Sequence, residues 1–272
     1  MTDLRHSPLG HATIYGERYD PRLLFAVERA PLRAELGLGE ALPFRGADLW
    51  NAYELSWLDA SGKPAVAICT FSVPAESPAI AESKSVKLYL TAFDMTRFDS
   101  ADAVRETILR DLSAATGATV SVTLTLPDAF ASLAHGELTG ECLDDLPCAP
   151  GAAPDPAMLR AADARGAETL FTRLFRSVCP VTGQPDYACV QIACRGPALD
   201  GAALLGYLLS YRRHPGFHEH CVERIFVDIR NRCAPEALTV RARFTRRGGI
   251  DINPWRTSGD AMPPSNTRTA RQ

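Results

Sequence analysis

The sequence predicts an α+β protein built from two like modules, each an antiparallel sheet carrying a pair of helices. Three observations lead there. Each half of the chain opens with two apolar-alternating stretches separated by a turn. Two stretches of helical periodicity and one more strand follow in both halves, and a Pro/Ala-rich passage lies between them.

In the first half, "DLWNAYELSWLD" and "AVAICTFSV" alternate like paired strands across the turn "ASGKP". "AIAESKSVKLYLTAF" reads as a helix, with Val86, Leu90 and Phe93 at helical spacing. "SADAVRETILRDLSAATG" reads as a second, with Val104, Ile108 and Leu112 on one face, Ser100 as N-cap and Gly117 as the stop. "ATVSVTLTLP" closes the half as a strand. "LPCAPGAAPDPAM" marks the linker. Beyond it, "ETLFTRLFRSVC" and "DYACVQIACRG" are strands, "DGAALLGYLLSYRRH" and "GFHEHCVERIFVDIRNRC" helices, and "ALTVRARFTRRGG" a strand. The expected division is 1–145, a linker over 146–158, 159–256, and a flexible Pro/Ser/Thr-rich tail over 257–272.

A net charge of −3 argues against general affinity for nucleic acid or anionic membranes. No long uncharged apolar run could cross a bilayer, and "MTDLRHSPLGHATIYG" lacks the apolar centre of a signal peptide, so the expected location is cytoplasmic. The eight cysteines show no C-x-x-C pair and no common zinc spacing. In such a compartment they are expected as reduced, mostly buried apolar residues.

Four stretches could carry chemistry. "RSVCPVTGQPDYACV" ends a strand at Cys179 and enters a turn, with Asp186 just beyond. Cys179 is either a packed thiol or a nucleophile, and a nucleophile needs local activation because a free thiol is mostly protonated at pH 7. "AESKSVKLYL" crowds Glu82, Lys84 and Lys87 around Ser83 and Ser85, either as a solvated helix face or as a carboxylate for ligand N–H groups beside lysines for phosphates. "PGFHEHCVERIF" suggests metal, yet His218 and Cys221 share a helix side while Glu219 and His220 point elsewhere. A capping or proton-donating histidine is the alternative. "TRRGGIDINPWR" sets two arginines before two glycines, a surface turn or a cradle for an anionic cofactor. No G-x-G-x-x-G occurs between a strand and a helix, which disfavours a Rossmann dinucleotide site.

Taken together, "ESKSVKLY" (82–89), "SVCPVTGQPD" (177–186), "FHEHCVERIF" (217–226) and "RRGGIDINP" (246–254) resemble the NADPH-dependent 7-cyano-7-deazaguanine reductases, the nitrile reductases of queuosine biosynthesis. The likeness runs from "SPLG" (7–10) to "NPWR" (253–256), and the two-half plan resembles the long branch of that family. It implies tandem tunnelling-fold modules, antiparallel sheets with paired helices on one face, assembling as a homodimer. By the resemblance, Cys179 is the nucleophile that forms a thioimide, Asp186 the proton-transfer acid, and His218 a second polar participant. Glu82 and Glu219 grip the deazaguanine edge with a contact from Ser83. Lys84, Arg246 and Gly248 lie on the NADPH side, and no metal is implied. Two rivals remain at this point. One is a metal-dependent cyclohydrolase-like purine or pterin enzyme on the same fold, and the other is a non-catalytic deazapurine-binding protein.

Overall fold

The computed structural model describes residue 16, residues 18–260 and residues 262–272. The "SPLG" stretch at 7–10 lies outside the described residues. The chain divides into two compact units, one of residues 1–39, 47–133 and 246–252, the other of residues 40–46, 134–245 and 253–272.

In the first unit, β1 (Ala26–Glu28) leads into the short α1 (Arg29–Ala34). The long strands β2 (Arg45–Leu58) and β3 (Pro64–Pro74) follow, then β4 (Ala79–Ala81), α2 (Ser83–Thr91), α3 (Ala101–Thr116) and β5 (Ser121–Thr125). β3 pairs antiparallel with both β2 and β5, and β1 pairs with β4. Because successive strand residues face opposite ways, Ala67, Cys69, Phe71 and Val73 of β3 share one buried face. β2 buries Trp50 and Ala52, then Leu55 and Trp57. The change of parity is a register shift between Ala52 and Leu55, which leaves Tyr53 and Glu54 as the irregular residues. Val86, Tyr89 and Leu90 of α2 and Val104, Ile108 and Leu112 of α3 join this same core, so both helices cover one face of the sheet.

The helix ends follow their local chemistry. Ser100 Oγ accepts from Ala103 N at 3.1 Å, and Gly117 ends α3 with φ +69°, where a Cβ would also stand 2.6 Å from the Pro78 ring. α2 starts later than its apolar spacing suggests, because Ala79–Ala81 is claimed by strand pairing with β1.

The second unit repeats the plan: β6 (Glu141–Cys142), β7 (Ala161–Val178), β8 (Pro185–Leu199), α4 (Gly201–Leu209), α5 (His218–Cys233), β9 (Ala237–Phe244) and the end of β10 (Ile250–Thr257). β8 lies antiparallel between β7 and β9, β9 pairs with β10, and β6 runs parallel to β7. β7 carries a register shift between Thr172 and Phe175, the counterpart of the one in β2. After it, Phe175, Ser177 and Cys179 are the buried alternate residues. On the helix-bearing side, the Arg256 guanidinium is fully buried and donates twice to Glu223 Oε1, at 3.1 and 2.8 Å.

The strand expected over "ALTVRARFTRRGG" stops at Phe244, since Arg247–Ile250 forms a tight turn. The stretch expected as a flexible tail, 257–272, makes hydrogen bonds in its described part. Arg268 pairs with 134–136, and Gln272 is buried and hydrogen-bonded. Composition marks that stretch as loop-like but cannot reveal such tertiary bonds. All eight cysteines are free. No helix among the described residues is long and apolar enough to cross a membrane.

Two outcomes are expected. Glu223→Ala leaves Arg256 buried without its carboxylate, and urea unfolding should register a loss of about 3–5 kcal/mol. His214 is held down to about 4 by burial and by the nearby Arg224 charge. Its neutral form therefore favours the fold above the ordinary histidine value of 6.5, and that contribution is lost as pH falls from 6.5 through about 4. His214→Phe should flatten the decline in melting temperature across that window.

Candidate active site

The residues singled out from sequence fall into two groups, one in each unit.

In the second unit, the β7–β8 hairpin sets the geometry. Val178 opposes Pro185 and Ser177 opposes Asp186. The turn is closed by Cys179 N donating to Gln184 O at 2.8 Å and Gly183 N donating to Cys179 O at 3.1 Å. Cys179 and Asp186 belong to the buried alternation of their strands and are only 4% and 7% exposed. The segment before α5 runs beside this strand end: Val178 N donates to His214 O, and Gly216 N donates to Val178 O, both at 3.0 Å. The first turn of α5 thus starts next to Cys179. Its N-cap residue, Phe217, provides no side-chain cap, and the positive end of the helix dipole there favours negative charge.

His218, the first residue of α5, brings Nε2 to 3.4 Å from Asp186 Oδ2. Its ring lies flat on Phe244, with centroids 3.7 Å apart and planes 5° from parallel, while Nδ1 is buried without a hydrogen-bond partner. Glu219 is buried in the same helical turn. Thiol, carboxylate and imidazole therefore meet at one end of the unit, a constellation able to add a nucleophile and move a proton.

In the first unit, Glu82 is the N-cap of α2. Its carboxylate accepts from Lys84 N through Oε1 and from Ser85 N through Oε2, both at 2.8 Å, while Ser83 Oγ stands 3.5 Å from Oε1. Burial pushes this carboxyl up, opposed by the amide bonds, by Ser83 and by the Arg247 charge. A carboxylate has about four acceptor positions, so two amide bonds leave capacity for a ligand's N–H groups. Glu82 is thus a structural cap as well as a candidate contact, a double use that residue spacing does not reveal. Lys87, by contrast, is paired with Glu54.

The arginine–glycine stretch is a turn in which Arg247 and Ile250 exchange backbone bonds, with Gly248 and Gly249 at φ +61° and +78°. Two positive φ values are what a type I′ turn demands, and a Cβ at Gly249 would collide with Glu54. Gly248 has open space where a side chain would stand. Arg246 lies over the Tyr53 ring at 4.9 Å, and Tyr53 N donates to Gly249 O at 2.9 Å. Open backbone beside two guanidinium groups fits the phosphates of an anionic cofactor. Sequence reasoning missed Tyr53, Asp251 and Phe244. Asp251 accepts from Tyr53 Oη and from Asn51 Nδ2 and so ties the turn to β2. The bulge that exposes Tyr53 has no marker in the alternation. Among the described residues no group of three or more His, Cys, Asp or Glu is placed to hold a metal ion.

Comparison with known proteins places the chain in a family. Residues 15–124 match the family described as "Nitrile reductase, 7-cyano-7-deazaguanine-reductase N-term", and residues 185–263 match the "QueF-like protein" family. The first range holds Glu82, Ser83 and Lys84, the second holds Asp186, His218, Glu219, Arg246 and Gly248, and Cys179 falls between them. NADPH-dependent 7-cyano-7-deazaguanine reductases of Burkholderia cenocepacia and Burkholderia lata are each 57% identical to the chain. Both alignments cover 98% of it, and respectively 99% and 98% of those proteins. The crystal structure of an archaeosine synthase QueF-Like in the apo form is 22% identical, covering 37% of this chain and all of that one with a TM-score of 0.34. With more than half of its residues matched by family models and near-complete coverage of close relatives, the chain belongs to the 7-cyano-7-deazaguanine reductase family of nitrile reductases.

Proposed function

We propose that Cys179, Asp186 and His218 carry the chemistry of the reaction this chain performs, the NADPH-dependent reduction of 7-cyano-7-deazaguanine to 7-aminomethyl-7-deazaguanine in queuosine biosynthesis. The observation that carries the assignment is the meeting of a buried thiol, a carboxylate and an imidazole at the hairpin end beside the uncapped start of α5. The Cys179 thiolate adds to the nitrile carbon while Asp186 protonates the nitrogen, giving a thioimide. His218 shares the proton work through its contact with Asp186. NADPH, held by the residues assigned below, would supply the two hydride equivalents that reduction of a nitrile to an amine requires. Sulfur suits the role because it both attacks and leaves readily. Burial of Asp186 keeps bulk water from competing for its contacts.

Recognition is assigned to Glu82 with Ser83 and to Glu219, whose acceptor oxygens complement the N–H donors of a guanine-like edge. Lys84, Arg246 and Gly248 are assigned to the cofactor's phosphates. The enzyme is proposed to work in the cytoplasm as a homodimer without direct contact to nucleic acid, a reading that rests on family resemblance and on the modest net charge of −3.

Incubation with the cyano base should give a protein adduct of the substrate's mass, and Cys179→Ala should abolish it; an adduct that survives would relocate the nucleophile. Glu82→Gln keeps one oxygen for capping α2 yet loses the charge. It should weaken substrate binding by roughly 30-fold or more, the equivalent of at least about 2 kcal/mol, and lower the melting temperature by the few degrees that losing one of the two cap bonds implies. Wild-type affinity measured by calorimetry would remove Glu82 from the recognition set.

A further inference from the structure

We infer that Gln272 is a positioning residue for His218, acting through Phe244. The starting point is the way the imidazole is held. Its Nδ1 has no hydrogen-bond partner, and its Nε2 contact with Asp186 is long at 3.4 Å, so ring orientation rests chiefly on the flat stack against Phe244. Phe244 is the last residue of β9 and is fully buried, with its ring edge-on to Phe175. The position of that ring depends on what fixes the strand end.

The pairing of β9 with β10 runs from Thr239↔Thr257 to Arg241↔Trp255. Past it, the side-chain amide of Gln272 takes the place of a partner strand. Nε2 donates to Phe244 O at 3.0 Å and to Asn253 Oδ1 at 2.7 Å. Oε1 accepts from Arg243 Nε at 2.9 Å and from Thr269 N at 3.1 Å. Both N–H groups and both acceptor positions of the amide are used, and the residue is 5% exposed. A saturated buried amide of this kind defines one geometry and tolerates little displacement. It joins β9 to Asn253 of β10 and to the C-terminal segment, which is itself tied to 134–136 by Gly136 N donating to Arg268 O and Arg268 N donating to Ala134 O.

The inference rests on the role given to His218 above. Displacement of a catalytic group by an ångström can cost up to about 100-fold in rate, so a link that fixes the stacking ring bears on turnover without touching substrate. The test compares Gln272→Ala, Phe244→Leu and the double variant by two measurements. One is the His218 ring-proton resonance, assigned with His218→Gln and sensitive to the ring current of Phe244. The other is kcat and KM for nitrile reduction well below the melting temperature. Gln272→Ala is expected to move the His218 resonance downfield and to lower kcat about 10-fold with KM within about twofold. The double variant should be no worse than Phe244→Leu alone, as coupled residues require. A His218 resonance unmoved by Gln272→Ala, or fully additive losses, overturns the inference. A moved resonance with unchanged kcat upholds the positioning and instead removes His218 from the catalytic assignment. Should alanine prevent folding, Gln272→Met keeps the volume without the hydrogen bonds and reads the same two quantities.

Discussion

The register of β7 against β8 is the constraint on which the chemistry proposed for the second unit depends. Opposing Ser177 to Asp186 places the carboxylate on the same buried face as Cys179, two residues further along the chain and just past the end of β7. A slip of one residue would turn Asp186 to the other face of the sheet and remove it from His218. That register is specified by more than the turn. Phe175 on β7 and Ala188, Val190 and Ile192 on β8 would all have to leave the core with it. Apolar burial thus fixes a polar arrangement that could not support itself.

Both units also use the start of a helix to manage a buried carboxylate. Glu82 is the N-cap of α2, the first long helix of its unit, and Glu219 sits in the first turn of α5, the second long helix of its own. The positive end of the helix dipole offsets part of the cost of burying negative charge there, and at Glu82 two backbone amides add to it. At Glu82 the balance is visible: burial pushes the carboxyl up while two amides, Ser83 and Arg247 pull it back. The duplicated fold supplies such ends in both halves, so each unit can keep one carboxylate out of water at a helix start.

Much of the fold was legible in the sequence because its strands and helices bury one face each. Ser100 and Gly117 bound α3 as their residue types demand, and the order strand–strand–helix–helix–strand recurs. What escaped notice lacks that signature. The first part of β7, from Ala161, is exposed along its whole length, so no alternation marks it, and pairing with β8 alone makes it a strand. β10 contains Asp251, Asn253 and Pro254, and its burial is nearly continuous. Of the candidate site, the thiol, the carboxylates and the imidazole were readable as unusual residue types in short motifs. Tyr53, Phe244 and Gln272 were not, because a bulge, a ring stack and a bridging amide arise only when distant segments meet.

The turn after β7 bears on the covalent step proposed for Cys179. With both backbone polar groups of Cys179 hydrogen-bonded across the hairpin end, and Pro180 and Pro185 flanking the turn, the main chain beneath the sulfur is already immobile. Only rotation about the Cα–Cβ bond is left for the sulfur to lose when it becomes joined to a small molecule. Under the role proposed for Cys179, attachment and release would then meet nearly the same conformational landscape, a condition for a bond that has to form and break within every cycle.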